Sequence, residues 1–212
     1  MKDIFEFYQF WDKTLDRFED FFERYIISIY IQAFAYKKSY LLLEQFEKSD
    51  REMYVTTCGG KTVETDDADY QLLNEIAVNA RIPLVDLAQR LNTSSQAVNY
   101  RIKNLMNSGI IQAFRVGIDL SKLGLQHYKL EIYLKDHKQG KAIWNYLKET
   151  PYLEYLNVAV GWCDLEFELI IENVDKLSQI MRDIDLKFPN AIKKQTFWIF
   201  EKVHKDRWLP EA

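Results

Sequence analysis

The strongest constraint on the fold is a series of three short helix patterns between residues 66 and 108, separated by tight turns. The first pattern follows Asp66 and Asp67, either of which can cap a helix, and its apolar residues recur at helical spacing. A second helix is predicted to begin at about Pro83, because the missing proline N–H would have no partner in a first turn. The predicted inward residues are Leu72, Leu73, Ile76, Ala77 and Ala80 in the first helix and Leu84, Leu87, Ala88 and Leu91 in the second.

A third helix is predicted to begin after Ser94, whose hydroxyl can cap it, and to end before Gly109, which suits a left-handed helix stop. Its inward residues are Val98, Ile102 and Leu105. Residues 110–118 favour strand and are the natural place for a wing. Three short helices with a tight turn between the last two and a hairpin afterwards form a winged helix-turn-helix, whose last helix enters the major groove of DNA.

The outer side of the third helix carries side chains that suit DNA. Gln96 and Asn99 can each pair bidentately with adenine, whereas hydroxyl and basic side chains suit phosphates. No acidic residue lies between Ser94 and Asp119, although the chain has 32 Asp and Glu against 28 Lys and Arg and a formal charge of −4. The predicted DNA-binding residues are Ser94, Ser95, Gln96, Asn99, Tyr100, Arg101, Lys103 and Arg115. A helical bundle used only for protein contacts is the alternative.

The second half of the chain shows a different alternation of patterns, with strands and helices in the order βαββαβ. Period-2 alternation predicts the strands and 3.6-residue periodicity predicts the helices. This order predicts a ferredoxin-like unit. The predicted elements are strand His127–Leu134, helix Lys141–Thr150, strand Leu153–Val160, strand Asp164–Ile171, helix Val174–Phe188 and strand Ile192–His204.

The first 45 residues are predicted to form a strand-helix-strand unit, with strands at residues 3–11 and 26–36 around a helix that starts at Asp12. Because the same order recurs over residues 164–204, a degenerate internal repeat is predicted, although any two such units look alike. Half of a sheet leaves an edge that must pair. We expect this edge to pair with a second subunit or another chain.

The helix-turn-helix segment resembles the Lrp/AsnC family of feast/famine regulators. The resemblance depends on a spaced series of residues: Asp69 with Leu72 and Leu73, Asn79–Ile82, Asp86–Ala88 with Leu91, Val98 with Arg101, Ile102 and Leu105, and Gly109–Ile111. It extends over about residues 67–207, although Pro83 stands where that family often has a capping serine. It implies that the ferredoxin-like unit is the family's RAM domain, which senses ligands and assembles subunits. Residues 1–45 resemble part of a preceding copy in tandem versions, which would lack its opening strand and helix if Met1 is the true start.

The turn between the middle strands of the ferredoxin-like unit occupies the position of that family's Gly-x-x-Asp turn. By resemblance it lies near the effector pocket, where a glycine permits close backbone approach and a carboxylate can accept an amino group. The implied effector-binding residues are Gly161, Trp162, Cys163 and Asp164. A plain hairpin turn with Trp162 as an interface anchor is the alternative. The implied partners are double-stranded DNA, a small-molecule effector similar to an amino acid, and further copies of the chain in a dimer or higher homo-oligomer.

The predicted fold class is therefore α+β, a winged helix-turn-helix followed by a ferredoxin-like βαββαβ domain and preceded by a βαβ half-unit. The domain prediction is an incomplete RAM-like unit at 1–45, a linker at 46–65, the DNA-binding domain at 66–117 and a RAM-like domain at 118–209. Cys58 and Cys163 have no nearby histidine, so no metal, cofactor or disulfide is predicted. With no signal peptide and no apolar stretch of about 20 residues, the predicted location is the cytoplasm and no membrane contact is expected.

Two other functions compete with a sequence-specific transcriptional regulator. Sirohaem decarboxylases resemble the same family in both domains, so the fold alone does not exclude an enzyme. Their resemblance brings a His-Asn-Tyr type cluster, whereas Leu156–Val158 contains no histidine and the three histidines are far apart, so no catalytic residue is predicted. A co-regulator that senses a ligand without touching DNA is the second alternative, because the positive charge of the helix-turn-helix is modest.

Overall fold

The computed structural model describes residues 3–59, 62–202 and 209. Its centre is a six-stranded antiparallel sheet with the strand order β2-β1-β4-β5-β3-β6. The strands are β1 (Ile29–Tyr36), β2 (Glu52–Thr57), β3 (Gln126–Leu134), β4 (Leu153–Val160), β5 (Leu165–Ile171) and β6 (Ile192–Phe200). The helices are α1 (Ile4–Phe18), α2 (Asp67–Val78), α3 (Leu84–Arg90), α4 (Ser95–Asn107), α5 (Gly140–Lys148) and α6 (Val174–Lys187).

The ferredoxin-like prediction is confirmed, because β3, α5, β4, β5, α6 and β6 follow one another in the order βαββαβ. Alternate residues of the strands and the inner sides of α5 and α6 form one core on one face of the sheet. Its largest fully buried residues include Tyr128, Leu130, Ile132, Ile143, Leu147, Phe167 and Leu169. Neither α5 nor α6 covers the other face, which we call the open face; it carries the intervening residues, such as Lys129 and Glu166.

The predicted strand at residues 3–11 is wrong, because these residues lie in α1. Asp3 caps this helix by accepting a hydrogen bond from the backbone N–H of Glu6 at 2.8 Å. Phe7 and Trp11 stand one turn apart, with stacked rings whose centroids are 6.5 Å apart. Helical spacing therefore outweighs the strand propensity of the individual aromatic residues. The N-terminal order is helix, strand, strand, and the proposed repeat lacks its opening strand.

The predicted linker at 46–65 is also corrected, because it contains β2, which pairs with β1. The other edge of β1 pairs with β4, from Ile29 opposite Val160 to Ala35 opposite Tyr155. The N-terminal strands therefore find their partner within the chain, and the expected pairing with a second subunit or another chain is not what the structure shows.

The three predicted helices of the helix-turn-helix are confirmed as α2, α3 and α4. Asp66 caps α2 in a reciprocal capping box with Asp69, and Ser94 caps α4 by accepting a hydrogen bond from the N–H of Ala97 at 3.2 Å. Gly109 has φ +77, the left-handed conformation predicted for the helix stop. The helices enclose a separate core of Leu72, Leu73, Ile76, Leu87, Ala88, Val98, Leu105 and Ile111.

The predicted wing strand at residues 110–118 is wrong. Residues 112–119, all of which are described, have no helix or strand. This segment, which we call the connector, finds no hairpin partner and instead contacts the sheet through side chains. Gln112 accepts a hydrogen bond from the Thr56 hydroxyl at 3.1 Å, and Arg115 reaches Glu154 on β4.

Candidate nucleic-acid interface and sensor turn

The outer side of α4 presents Gln96, Asn99, Tyr100 and Lys103 on successive turns. Their spacing of i, i+3, i+4 and i+7 places them on one face of the helix. Tyr100 is 66% exposed, and Gln96 and Lys103 are also exposed. Within the described residues, the side chains of Gln96, Asn99 and Lys103 have no hydrogen-bond or ion-pair partner. This face therefore has free donors and acceptors that could contact base edges and phosphates.

Two residues predicted as DNA contacts hold α4 in place. The Ser94 hydroxyl is the N-cap described above, and Arg101 turns back to the start of α2. The Nη1 atom of Arg101 lies 2.9 Å from Asp66 Oδ2 and 2.8 Å from Asp69 Oδ1. The backbone N–H of Asp69 and the Arg101 guanidinium lower the pKa of the exposed Asp66 carboxyl. This contact joins α4 to the start of α2, beside the apolar core that the two helices share.

Arg115 does not join the other predicted DNA-binding residues. Its side chain is only 19% exposed, and its Nη2 atom donates to Glu154 Oε1 at 2.5 Å. The guanidinium also lies over the Tyr155 ring, 4.9 Å from the centroid. The structure therefore places Arg115 against the sheet, although sequence reasoning grouped it with α4.

The predicted effector-binding residues lie together in the turn between β4 and β5, which we call the sensor turn (161–164). Gly161 has φ +91, and a Cβ added there would lie 2.9 Å from the carbonyl oxygen of Ile27, so the N-terminal segment crosses the turn closely. The Asp164 carboxylate accepts a hydrogen bond from the N–H of Leu134 at 2.7 Å. Asp164 therefore links the sensor turn to the end of β3, and its Oδ2 atom is not free for a ligand.

Cys163 and Trp162 of the sensor turn face acidic side chains. Burial, together with the nearby carboxylates of Glu131 and Glu166, raises the pKa of the Cys163 thiol to about 12, so this thiol is neutral at physiological pH. Trp162 forms a hydrogen bond with Glu131, which is buried. Burial raises the pKa of Glu131 despite that hydrogen bond.

Sequence reasoning missed a charged cluster on the open face of the sheet. Lys129 lies 3.1 Å from Glu166 Oε2, while Tyr30 and Asn157 donate to Glu166 Oε1 at 2.7 and 2.8 Å. Burial opposes the charge on Lys129, but the hydrogen bonds to Tyr30 and Glu166 outweigh it and raise the pKa of Lys129. The signal in the sequence was the charged residues at alternate positions of otherwise apolar strands.

Comparison with known proteins identifies the family. A family model described as winged helix-turn-helix DNA-binding matches residues 65–112. The HTH-type transcriptional regulator LrpB of Bacillus subtilis is 34% identical over 128 residues, which are 60% of this chain and 85% of LrpB. This chain belongs to the Lrp/AsnC family of transcriptional regulators.

Solved Lrp/AsnC structures share the fold. AsnC of E. coli has a TM-score of 0.60 at 18% identity and covers 69% of this chain, which covers 99% of AsnC. The regulator NMB0573 of Neisseria meningitidis, solved as a complex with L-Met, has a TM-score of 0.61 at 17% identity, with 69% and 97% covered. These regulators match almost end to end, whereas part of this Lrp/AsnC chain has no counterpart in them. A tandem arrangement of two copies stays a prediction.

The described part of this Lrp/AsnC chain contains no group of three or more His, Cys, Asp or Glu side chains that could hold a metal ion. None of its described helices is long and apolar enough to span a bilayer.

Proposed function

We propose that this Lrp/AsnC chain is a sequence-specific DNA-binding regulator that inserts α4 into the major groove. The observation that carries the proposal is the outer face of α4, where Gln96, Asn99 and Lys103 are unpaired within the described residues. Amide side chains can pair bidentately with adenine N6 and N7. No carboxylate between Ser94 and Asp119 repels the phosphates.

The side chains around this face divide into two roles. Gln96 and Asn99 read bases, while Ser95, Tyr100 and Lys103 contact phosphates and fix the register on the duplex. Ser94 and Arg101 act earlier, by holding α4 at the correct angle to α2. A single short helix gives little affinity, so two chains that bind half-sites about 34–36 Å apart would add their contacts. We propose that the open face of the sheet forms the interface of such a homo-oligomer.

The sensor turn supports a second part of the proposal, the sensing of a small molecule similar to an amino acid. Residues 161–164 lie together, with the Trp162 ring beside the buried Glu131. The regulator NMB0573 was solved with L-Met, so this fold accommodates a free amino acid in a relative. Because the Oδ2 atom of Asp164 accepts the N–H of Leu134 on β3, the Oδ1 atom is the candidate to receive an amino group.

A DNA-selection experiment tests the proposal. Fragments bound by the purified chain are selected from random DNA, and affinity for the selected site is compared with affinity for a scrambled site in rising salt. Wild type should prefer the selected site and weaken as salt rises, because binding releases counterions. Gln96→Ala and Asn99→Ala should lose this preference, whereas Asn107→Ala, the same residue type in the last turn of α4, should keep it.

Binding that never exceeds that of random DNA would rule out a sequence-specific regulator. Homo-oligomers that bind an amino acid and no DNA would favour a ligand-sensing co-regulator.

A further inference from the structure

The connector is the covalent link between the DNA-binding helices and the ferredoxin-like domain. Residues 112–119 have no regular secondary structure that could make this link rigid. Their position relative to the sheet therefore depends on side-chain contacts. The contact with the most buried partner is the ion pair between Arg115 and Glu154, whose side chains are 19% and 4% exposed.

The N-terminal strands build the surroundings of this ion pair. Lys38 lies just after β1 and donates to the same oxygen, Glu154 Oε1, at 2.5 Å. The hydroxyl of Tyr54 on β2 accepts from Arg115 at 3.4 Å, and Thr56 on the same strand contacts Gln112. Residues of β2 and β4 thus hold the connector directly, and Lys38, just after β1, binds the Glu154 carboxylate that pairs with Arg115.

The charges of this cluster predict that the sheet stays folded when Arg115 is removed. Glu154 faces two cations, Lys38 and Arg115, and both donate to one oxygen. If Arg115 is replaced, Glu154 keeps Lys38, so no buried charge is left without a counter-ion. If Glu154 is replaced, two cations face each other without a carboxylate. Arg115 is therefore the member whose loss affects the connector most selectively.

We propose that Arg115 is a specificity-determining residue, which selects the spacing of DNA half-sites through its contact with Glu154. This inference rests on the proposed DNA-binding function. Anchoring the connector fixes the direction in which each α4 points away from the sheet. In an oligomer built on that sheet, two anchored α4 helices meet only those half-sites whose separation and rotation match them. Arg115 acts as a positioning residue and does not contact DNA.

Half-site spacing is the measurement that tests this role. Full-length protein is titrated with duplexes that carry two selected half-sites whose separation changes in single base-pair steps. Wild type should favour a narrow range of separations by about tenfold, which corresponds to about 1.4 kcal/mol. Arg115→Gln should bind all separations with similar affinity and keep its affinity for a single half-site. Arg115→Lys, which keeps the charge, should recover part of the preference.

Lys141→Gln is the matched control, because Lys141 lies on α5 away from the connector, is exposed and carries the same charge. Its spacing profile should equal that of wild type. A loss of single half-site affinity in Arg115→Gln, with a salt dependence reduced by about one phosphate contact and an unchanged spacing profile, would show that Arg115 binds DNA. That result would overturn the proposal.

A distance measurement separates failure of this inference from failure of the proposed function. Spin labels are placed at Asn107→Cys on α4 and Glu172→Cys after β5, in a Cys58→Ser background. The distance distribution should be narrow in the chain with Arg115 and broad with Arg115→Gln. Equal widths would overturn the anchoring step whether or not DNA binds. If the distribution is narrow with Arg115 and broad with Arg115→Gln but the protein binds no DNA, Arg115 does anchor the connector. The spacing role and the proposed function would then both be overturned.

Discussion

The outer face of α4 and the open face of the sheet are both polar, but in the described part of the chain the polar groups are unpaired on α4 and paired on the sheet. On α4 the amide and ammonium groups of Gln96, Asn99 and Lys103 are unpaired within the described residues. On the sheet Lys129 and Glu166 are paired with each other inside the molecule. An unpaired polar group costs little free energy while water hydrates it. A charge that is buried away from water destabilises the fold unless an opposite charge or hydrogen bonds compensate it.

This difference separates binding from stability. Gln96, Asn99 or Lys103 can be removed without leaving a buried group unsatisfied, so its loss should change DNA recognition. A charged side chain on the open face cannot be removed in this way, because its partner stays behind. The same comparison explains how the open face could form an interface: once its charges are neutralised within the chain, burial against another subunit has a smaller electrostatic cost.

The largest expected effect is a loss of protein stability when a charge on the open face is removed. Glu166→Leu leaves the Lys129 ammonium without its ion-pair partner, so the free energy of unfolding should fall by about 3–5 kcal/mol. Urea denaturation followed by circular dichroism measures this change. Glu172→Leu, at an exposed position just after β5, is the control and should stay within about 0.5 kcal/mol of wild type. Equal stability of the two variants would contradict the pairing.

The next effect lies on the other surface and concerns recognition. Asn99→Ala should reduce the preference for the selected DNA site over a scrambled site by about 1–3 kcal/mol, because it removes one bidentate base contact. The same variant should unfold at the urea concentration of wild type, since Asn99 supports no other described residue. A stability loss as large as the binding loss would show that Asn99 stabilises the fold and would contradict a role in DNA recognition alone.

Substitutions of the residues that hold α4 should change both the stability of the fold and the affinity for DNA. Ser94→Ala removes the hydroxyl that caps α4 by accepting the N–H of Ala97, so the free energy of unfolding should fall by about 1 kcal/mol. Ser94→Asp restores a capping oxygen and should regain that stability while weakening DNA binding, because it adds a negative charge near the phosphates. Thermal unfolding and gel-shift titration of the two variants give the two readouts.

The sequence predicted α2, α3 and α4 because their signals are local. Asp66, Pro83, Ser94 and Gly109 each act within one turn of their own position. The pairing of β1 with β4 was not predictable in this way, because it joins segments far apart in sequence. Arg115 shows the same limit within the candidate site: its charge indicated a phosphate partner, but only the fold brings Glu154 within reach.

The smallest expected effect is a pH dependence of stability at Glu131. Burial raises the pKa of Glu131 above its ordinary value of 4.5, so the folded state holds this proton more tightly than the unfolded state. Stability from this residue is present at low pH and is lost as the pH rises from that ordinary value through the raised one. Glu131→Gln should flatten this part of the profile in urea denaturation at a series of pH values. An unchanged profile would contradict the account of the buried carboxyl.

The most direct test of the central claim, that the outer face of α4 reads DNA, is to remove one acceptor from the DNA. Adenines of the selected site are replaced one at a time by 7-deazaadenine, which lacks N7. At one position the affinity of wild type should fall about tenfold. The affinity of Asn99→Ala should not fall further at that position, because this variant already lacks the amide that donates to N7. Equal losses in the two proteins at every position would contradict the claim that Asn99 on α4 reads adenine.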